Sequence, residues 1–352
     1  MMNQNDNQTK ETKLLQEEEV EQLKQCLPKT NFLGSKLELV NYQGFWCQSN
    51  AFKQIFHYQT HFQARNSDIF LASLPKTVTT WLKSLLFCIV NRPNNVDNHH
   101  HQQPLIKFSP LLNHNPHELV YHLDLGVYGD NPILPRPNQL NDLPSPRLLH
   151  THFPYQSLPE SIKDSSCKIL YIARNPLDTC VSQWFWHTTL IKKRTKDEDF
   201  QPPTIEEFFE EFCLGKFPYG PYFEHVIEFW KQSLEQPNKV LFLKYEDLKG
   251  DNAMLHLKKL AEFLGLPFSF EEESNGVINE IMEFCSIDNL KELEVNKIGF
   301  MNKFVEKKNF FRKGEVGDWT NYFTPPMIDK INTLMEQKLG GSGLSFQQLP
   351  QS

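Results

Sequence analysis

The sequence predicts an α/β fold in which a central parallel sheet carries helices on both faces. Three apolar segments, 68–73, 167–173 and 239–245, have the length and composition of buried strands, and each leads into a helical pattern. Strands that alternate with helices favour a parallel sheet. The chain has 352 residues, 39% of them hydrophobic, so it can bury a sizeable core. No break in composition divides it, and we therefore predict a single domain over residues 41–352 behind an N-terminal extension, residues 1–40.

The elements follow in order from the N-terminus. Residues 1–12 are polar and predicted to be disordered, and apolar residues at helical spacing over 14–27 predict a short helix that ends near Pro28. After the first strand, residues 79–90 predict a helix with one apolar face. Residues 91–150 are rich in Pro, Asn and His, so we expect them to be mostly irregular. The segments after the second and third strands are helical in pattern.

Composition excludes several function classes. The formal net charge is -7, which disfavours general nucleic-acid binding because that needs a basic face. The N-terminus has no apolar core of a secretory signal, and no apolar run has the ~20 residues of a membrane span. Seven scattered cysteines without a CxxC pair fit a reducing compartment. We expect a soluble, cytoplasmic protein without a metal, and we expect the three histidines 99–101 to lie in a solvated loop.

The segment "LASLPKTVTTWLKSLL", residues 71–86, predicts a phosphate-binding loop that resembles a P-loop. A strand turns into a helix whose first N–H groups are unpaired, which suits a phosphate. Phe70 and Pro75 hold the glycine positions of the Walker motif, so the nucleotide-triphosphatase motif itself fails. The alternative reading, a capped helix with a surface lysine, stays open on this segment alone. The groups that would bind phosphate are Lys76, Thr77, Thr79 and Thr80.

Two further segments carry basic residues where an anion could bind. Arg174 follows the second strand directly, and Ser182 lies eight residues later in the next helix. Arginine is the natural bidentate ligand of phosphate, although an arginine at a strand end also commonly forms a surface salt bridge. Late in the chain, Arg312, Lys313 and Gly314 combine two cations with a residue that allows close backbone approach. Two separate phosphate sites indicate a nucleotide bisphosphate.

A general base is available in "PRLLHTHFP", residues 146–154. His152 ends a short apolar run there, and imidazole can take a proton from a hydroxyl near neutral pH. No Asp/His/Ser order or GxSxG motif indicates hydrolysis. A phosphotransferase of the P-loop type is disfavoured by the failed Walker glycines and by the lack of a clear magnesium-binding carboxylate after a strand.

Taken together, these segments resemble the cytosolic sulfotransferases, and most closely their plant branch. "LPKTVTTWLKSL" resembles the PKSGTTW loop of that family, "PRLLHTHFP" its TH-x-P strand, and "YIARNPLDTCVSQWFW" its RNPKD-x-x-x-S segment. "FLKYEDLK" resembles the YED segment, and "FFRKGEVGDWTNYFT" resembles the closing RKG-x-x-GDW motif. The five motifs stand in the family's order, and the resemblance runs from about Gly44 to the C-terminus.

The resemblance implies the sulfotransferase fold, the donor 3′-phosphoadenylyl sulfate and a hydroxyl acceptor on a small molecule, without a metal. His152 would be the general base, and Lys76 would stabilise the charge that develops on the leaving group. The donor's 5′-phosphosulfate would be wrapped by Lys76, Thr77, Val78, Thr79, Thr80 and Trp81. The 3′-phosphate and the adenine region would be bound by Arg174, Ser182, Tyr245, Arg312, Lys313 and Gly314, next to the stretch Cys285, Ser286 and Ile287.

Departures from the family pattern have consequences. Val78 replaces the glycine of the loop, and a β-branched residue resists positive φ. If residue 78 needs only ordinary helical angles, activity survives; if the backbone must press against the sulfate, donor binding weakens. We expect reduced but real activity, with a catalytically impaired nucleotide-binding homologue as the alternative. His150 stands where many animal members carry lysine, so the charge of that lysine is missing here. Thr320 replaces a lysine of the usual dimer motif, and Pro325 and Pro326 alter the rest of it, so we expect a monomer or a weak homodimer.

The acceptor is set by variable loops in this family, here 91–150 and 187–225. Phenolic, steroid and hydroxylated fatty-acid-derived acceptors all remain open. The side chains expected to border the acceptor pocket are Phe153, Trp186, His187, Tyr219, Tyr222 and Phe223.

Overall fold

The computed structural model describes residues 17–92, 107, 109–129, 131–194 and 201–346. Five strands in this part of the chain form one parallel sheet at the centre of the fold, and two antiparallel sheets accompany it. In chain order the strands are β1 (Lys29–Asn31), β2 (Glu38–Tyr42), β3 (Phe45–Gln48), β4 (Ile69–Ser73), β5 (Tyr121–His122), β6 (Leu148–Thr151), β7 (Lys168–Ala173), β8 (Val240–Lys244), β9 (Phe300–Asn302) and β10 (Val305–Glu306).

Helices of very different length connect and cover these strands. None of those in the described residues is both long and apolar enough to cross a bilayer. They are α1 (17–26), α2 (Phe52–His61), α3 (Thr79–Asn91), α4 (Pro116–Leu119), α5 (Glu160–Asp164), α6 (Pro176–Arg194), α7 (Ile205–Cys213), α8 (Tyr222–Glu235), α9 (Tyr245–Lys249), α10 (Ala253–Phe263), α11 (Phe270–Ser274), α12 (Val277–Phe284), α13 (Ile287–Glu292), α14 (Glu294–Lys297) and α15 (Pro325–Leu339).

The central sheet has the strand order β5-β6-β4-β7-β8, and all its pairs are parallel. The three strands predicted from the sequence are β4, β7 and β8, and the helix predicted over 79–90 is α3, so these predictions are confirmed. β6, which the sequence shows only as a short apolar run, pairs with β4 on the side opposite β7. The carboxyl ends of all five strands therefore meet at one edge of the sheet.

Both faces of this sheet are buried, which confirms helices on both sides. Side chains alternate along a strand between the two faces of a sheet. In β4, Phe70 and Ala72 join the core formed with α6, α7 and α8, whereas Ile69 and Leu71 join the core formed with α3, α10 and α12. Strands buried on both faces have continuous apolar sequences, and this is why the pattern was readable.

The N-terminal strands form an antiparallel sheet that packs on the first of these cores. β1 pairs with β2, and β2 pairs with β3. Val20, Phe32 and Val40 belong to the same buried cluster as residues of the central sheet. The described part of the predicted extension is thus joined to the main core across residue 40. The division of the chain at that residue stays a prediction, and residues 1–16 and 93–106 lie outside the described residues.

A buried ion pair fixes the amino ends of the two strands that carry the site. Arg147, just before β6, donates to the carboxylate of Asp68, just before β4, through Nε at 2.7 Å and Nη2 at 2.5 Å. Both side chains are at most 2% exposed. The backbone N–H of Ile69 also donates to the carbonyl of Arg147 at 3.0 Å. This register aligns Ala72 with Thr151 at the other end of the two strands.

Candidate active site

The carboxyl edge of the parallel sheet brings the predicted site residues together. Lys76 follows β4, His152 follows β6, Arg174 follows β7 and Tyr245 follows β8. A cavity of about 230 Å³ opens at this edge. The predicted site residues that line this cavity are Lys76, Val78, Thr79, Thr80, Trp81, His152, Arg174, Ser182, Arg312 and Gly314.

Two predicted residues outside this lining support it from behind. Thr77 is fully buried, and its hydroxyl donates to the carbonyl of Leu74 at 2.8 Å, which closes the loop on itself. The hydroxyl of Tyr245 donates to the carbonyl of Gly314 at 2.5 Å, and its ring meets Trp81 edge-on at 5.5 Å between centroids. Tyr245 therefore contacts both the tryptophan of the loop and the late basic segment, residues 310–319.

The loop after β4 has an unusual backbone. Val78 has φ 63° and ψ 25°, and Lys76 has φ 68°, so both lie in the left-handed region. Glycine enters this region freely, but a β-branched residue there is a true outlier. Val78 thus adopts the glycine-like angle rather than the ordinary helical one, and its side chain lines the cavity. The sequence left these two conformations open, and the loop keeps its glycine-type shape at the cost of strain.

Three cations face the cavity, and no acidic side chain of the described residues is part of its lining. Lys76 is half-buried, and burial together with the charges of Arg312 and Arg174 lowers its pKa to about 7. Its Nζ lies 4.4 Å from the ring centroid of Trp186. In the described part of the chain, Nε of Arg174 and Nε of Arg312 are buried and have no hydrogen-bond partner. Mutual repulsion and unused guanidinium donors are the features of a site that fits phosphate.

Asp178 anchors the late segment onto α6. Its carboxylate accepts from the backbone N–H of Gly317 at 2.8 Å and from that of Trp319 at 3.1 Å. Nη2 of Arg174 lies 3.4 Å from the same carboxylate and donates to the carbonyl of Glu315 at 2.5 Å. The sequence separates these groups by about 140 positions, and the anchor places Arg312 and Gly314 against the cavity.

Gly314 in that segment lies where a side chain would collide with Ile287. It has φ +69°, and an added Cβ would lie 2.7 Å from Cγ1 of Ile287, so only glycine fits without displacement. Ile287 also lines the cavity. Arg312 and Lys313 both donate to the carboxylate of Asp318 at 2.6 Å. The side chain of Lys313 is 41% exposed and lies outside the cavity lining.

His152 is held in the tautomer that a general base needs. Its Nδ1 lies 2.6 Å from the carbonyl oxygen of Ser73, and because a carbonyl only accepts, Nδ1 carries the proton. Nε2 is then left as the acceptor. Burial and the neighbouring His122 lower the pKa of His152 to about 3, although Asp124 opposes this shift. The ring is therefore neutral around pH 7, and it lies 5.2 Å from the ring of Tyr219 between centroids.

Asp124 is a buried carboxylate beside His152, and no sequence pattern indicated its role. It accepts from the backbone N–H of His152 at 3.3 Å and, by a short bond, from the hydroxyl of Tyr219. Nε2 of His122 lies 3.1 Å from it. Burial raises the pKa of Asp124, but the neighbouring His122 and His152 and the bond from Tyr219 outweigh this and hold it below its usual range. Asp124 lies in a one-turn π-helix directly after β5, for which the sequence shows no signal.

A second buried group was also missed. The side chain of Lys83 is fully buried, and its Nζ donates to the carbonyl of Val120 at 2.9 Å. Nδ1 of His117 lies 3.1 Å from that Nζ, and Nε2 of His117 lies 2.9 Å from the hydroxyl of Thr80. Burial lowers the pKa of Lys83 well below its usual value. This chain of contacts positions Thr80 in the first turn of α3. His117 also stacks on Phe310 at 4.1 Å between centroids.

The other walls of the cavity are mostly apolar. Of the side chains expected to border an acceptor pocket, Trp186, His187 and Tyr219 do line the cavity. Phe153, Tyr222 and Phe223 are instead buried in the core behind it. Further apolar lining residues are Leu125, Leu134, Leu190, Pro218, Ile287, Met301, Val305 and Phe310.

The comparison with protein families decides the class of this protein. A family model described as the sulfotransferase domain matches residues 66–343. The chain belongs to the sulfotransferase family. A relative within that family, named cytosolic sulfotransferase 15 from Arabidopsis thaliana, is 41% identical over 332 residues, which are 93% of this chain and 87% of that protein. The predicted membership of the plant cytosolic branch is confirmed.

Two solved structures have the same sulfotransferase fold. A putative steroid sulphotransferase from Arabidopsis thaliana has a TM-score of 0.67 and 36% identity, with 92% of this chain and 94% of that chain covered. Mouse sulfotransferase SULT7A1, complexed with PAP, has a TM-score of 0.62 and 27% identity, with 86% and 95% covered. The predicted fold class is confirmed, and the enzyme class of this chain is that of a sulfotransferase.

Proposed function

We propose that this sulfotransferase moves the sulfonate of 3′-phosphoadenylyl sulfate to a hydroxyl of a small molecule, with His152 as general base. The observation that carries the proposal is a neutral imidazole with an unprotonated Nε2 in the same cavity as Lys76, Arg174 and Arg312. The mouse sulfotransferase was solved with PAP, adenosine 3′,5′-bisphosphate, which is the product such a donor leaves. This supports the choice of donor.

The donor fits the residues of the cavity in two parts. The loop over 76–81 would wrap the 5′-phosphosulfate, because it offers Lys76, two hydroxyls and the amino end of α3. Arg174, Ser182 and Arg312 would hold the 3′-phosphate, since both guanidinium groups retain a buried, unpaired Nε. Lys313 would add its charge at the rim, and Gly314 its backbone. Trp81 and Tyr245 would pack near the adenine.

Side chains of the cavity then accept the proton of the hydroxyl and stabilise the charge on the leaving group. Nε2 of His152 takes the hydroxyl proton as the acceptor oxygen forms a bond to sulfur, and the bond from sulfur to the phosphate oxygen breaks. Lys76 stabilises the charge that develops on that leaving oxygen, as preorganised donors do in other enzymes. The carbonyl of Ser73 and the carboxylate of Asp124 stabilise the protonated imidazole. No step in this scheme uses a metal.

The acceptor and the setting are further proposals. We propose a phenolic, steroid or hydroxylated fatty-acid-derived acceptor, because the walls beside His152 are aromatic and apolar. We also propose that the enzyme works in the cytoplasm as a monomer or weak homodimer and binds neither nucleic acid nor membrane. The names of its relatives support the compartment.

The test measures transfer of labelled sulfonate from the donor to a panel of such acceptors. His152→Asn is expected to lower the rate by roughly 10²–10⁴-fold, the usual value of a general base. Its affinity for adenosine 3′,5′-bisphosphate should stay within a factor of about two. The matched control is His256→Asn, at a partly exposed histidine of α10. Full activity of the His152 variant would refute the assignment of the base.

A second candidate function has one observation in its favour. The strained angle at Val78 fits a protein that binds the nucleotide but transfers sulfonate poorly. Under this alternative the wild type binds adenosine 3′,5′-bisphosphate, transfers no label to any acceptor, and gains activity in Val78→Gly. Transfer by the wild type itself excludes the alternative.

A further inference from the structure

Three histidines meet at the wall of the cavity, which His122 and His152 line and behind which His150 is buried, and the reaction proposed above uses only one of them. His122 ends β5, His150 lies within β6 and His152 follows β6 directly. The centroids of the three rings are 4.4 to 4.8 Å apart, and one ring nitrogen of each lies within 4.8 Å of the others. Imidazole nitrogen is a preferred ligand of zinc and of neighbouring divalent metals.

We propose that His122, His150 and His152 bind a zinc ion, and that this ion inhibits the enzyme. In proteins, zinc can be bound by three imidazoles with its fourth coordination position left open. The sulfonate transfer itself needs no metal. A bound ion would occupy the Nε2 lone pair with which His152 accepts a proton. The inhibition therefore rests on the proposed function, whereas the binding does not.

Each imidazole already has a protein contact at one nitrogen. Nδ1 of His152 donates to the carbonyl of Ser73, Nε2 of His150 lies 3.4 Å from the hydroxyl of the same serine, and Nε2 of His122 lies 3.1 Å from Asp124. Metal-binding histidines have such partners, which orient the ring and leave the second nitrogen to the metal. Nδ1 of His150 and Nε2 of His122 are buried and have no hydrogen-bond partner among the described residues, so the 3.1 Å contact of His122 with Asp124 is an electrostatic one.

The site must contract slightly to hold the ion. Nitrogen ligands 2.0–2.1 Å from a tetrahedral zinc lie about 3.4 Å from one another. The separations in the structure reach 4.8 Å, so the three side chains must together close a gap of roughly 1.4 Å. Asp124 is fully buried beside His122 and His152, and its negative charge offsets part of the charge of the ion.

The binding experiment uses the full chain after removal of a competing cluster. The sequence also contains three consecutive histidines, 99–101, and these are replaced with asparagine in every sample. Co²⁺ is titrated first, because its visible spectrum distinguishes nitrogen ligation from ligation by cysteine thiolates. Displacement by Zn²⁺ then gives the zinc affinity. We expect one ion per chain, with a spectrum that has no thiolate band.

Two ligand variants and a matched control test the assignment. His122→Asn and His150→Asn are each expected to lower the zinc affinity at least about 100-fold, because even an outer-shell partner is worth 10–100-fold. His61→Asn changes an exposed histidine and should leave the affinity unchanged. Affinity for adenosine 3′,5′-bisphosphate shows that each variant is folded. Unchanged zinc binding in both ligand variants, or no Co²⁺ binding at all, overturns the proposal.

The inhibition has a readout of its own. Zn²⁺ should abolish sulfonate transfer over the same concentration range in which it binds, and a chelator should restore the activity. A chain that binds zinc at this site and keeps full activity overturns the inhibitory part. A chain that transfers no sulfonate even when zinc is absent contradicts the proposed function instead, and its zinc affinity still decides the binding part.

Discussion

Val78 shows how a β-branched residue can adopt a backbone angle that glycine enters freely. Its φ of 63° lies where the β-carbon of an L-residue crowds the following carbonyl, which costs roughly 1–2 kcal/mol. Neighbouring Lys76, at φ 68°, carries a similar strain. Such strain persists only when the surrounding structure imposes it. The buried Thr77 between them, bonded to Leu74, supplies this restraint.

We predict that Val78→Gly is more stable than Val78→Ala by roughly 1 kcal/mol of unfolding free energy. Both variants remove the branched side chain, but only alanine still has a β-carbon in the left-handed region. Urea denaturation analysed with a common slope measures the difference. An alanine variant at least as stable as the glycine variant would show that residue 78 does not hold this angle in solution.

The lowered pKa of Lys76 indicates that nucleotide binding depends on pH. Burial and two arginines lower its pKa to about 7, so above that pH the free protein carries a neutral amine. A bound phosphate favours the ammonium form and raises this pKa, so binding takes up a proton. We therefore expect the affinity for adenosine 3′,5′-bisphosphate to fall as the pH rises above about 7.

Calorimetry at pH 8 in buffers of different ionisation enthalpy counts the proton taken up. The expected uptake is a large fraction of one proton in the wild type and close to zero in Lys76→Met. Lys313→Met serves as the control, because the hydrogen bond to Asp318 raises the pKa of that lysine. Equal uptake in the wild type and Lys76→Met would rule out this source of the pH dependence.

Sequence patterns predicted the residues that lie in contiguous motifs, and missed those that depend on the fold. Lys76, Arg174 and His152 each follow a strand, so the parallel sheet brings them together. Asp124 and His117 lie in short turns of an irregular stretch, and nothing in their neighbours marks them as part of a site. Their roles arise from partners that are distant in the sequence.

At the scale of elements, the late basic segment depends on α6 for its position. Two backbone N–H groups of that segment donate to the single carboxylate of Asp178 in the first turn of the helix. A 3-10 turn, Asp318–Asn321, overlaps the end of this segment, and the side chains of Arg312 and Lys313 both donate to Asp318. The anchor and the pair of hydrogen bonds to Asp318 therefore set where Arg312 lies.

We predict that Asp178→Asn weakens binding of adenosine 3′,5′-bisphosphate roughly tenfold or more. The amide nitrogen of asparagine cannot accept, so at least one charge-assisted hydrogen bond of about 1.5–3 kcal/mol is lost. Calorimetry or equilibrium dialysis measures the affinity, and Asp251→Asn, at an exposed aspartate, is the control. Wild-type affinity in the Asp178 variant would mean that the segment is held by other contacts.

The elements predicted correctly are those with a strong local pattern. β4, β7 and β8 are apolar on both faces, and α3 repeats its apolar residues at helical spacing. β1 reads Lys-Thr-Asn and has no apolar residue, and the five residues of β2, Glu-Leu-Val-Asn-Tyr, do not alternate, so neither strand shows a strand periodicity. β5 has two residues, and its pairing depends on β6.

For the molecule as a whole, the ion pair of Asp68 and Arg147 stabilises the fold but lies far from the proposed reaction. It lies at the amino edge of the sheet, at the opposite end of β4 and β6 from the cavity. Removing one partner of a buried ion pair leaves an uncompensated charge, which typically costs about 3–5 kcal/mol. Removing both partners costs much less.

We predict that Asp68→Asn lowers the free energy of unfolding by roughly 3–5 kcal/mol while the folded fraction keeps wild-type nucleotide affinity. Adding Arg147→Met should recover part of the stability, because the buried charge is then gone. Chemical denaturation and nucleotide titration at low temperature measure the two properties. A loss below about 1 kcal/mol in the single variant would show that the guanidinium finds other partners.

The strand order places the proposed base and part of the nucleotide site on opposite flanks of β4. Arg174 and Tyr245 follow β7 and β8 on one flank, whereas His152 follows β6 on the other, next to the lining residues that follow β5. The loop after β4 lies between them, and α6 contributes both Ser182 and the aromatic wall of Trp186. The turns of the β5–β6 flank can therefore change during evolution, to recognise a new alcohol, without altering Arg174 or Tyr245. Chimaeras that exchange only the β5–β6 flank between relatives should change the acceptor preference and keep the donor affinity of the parent that supplies β7 and β8.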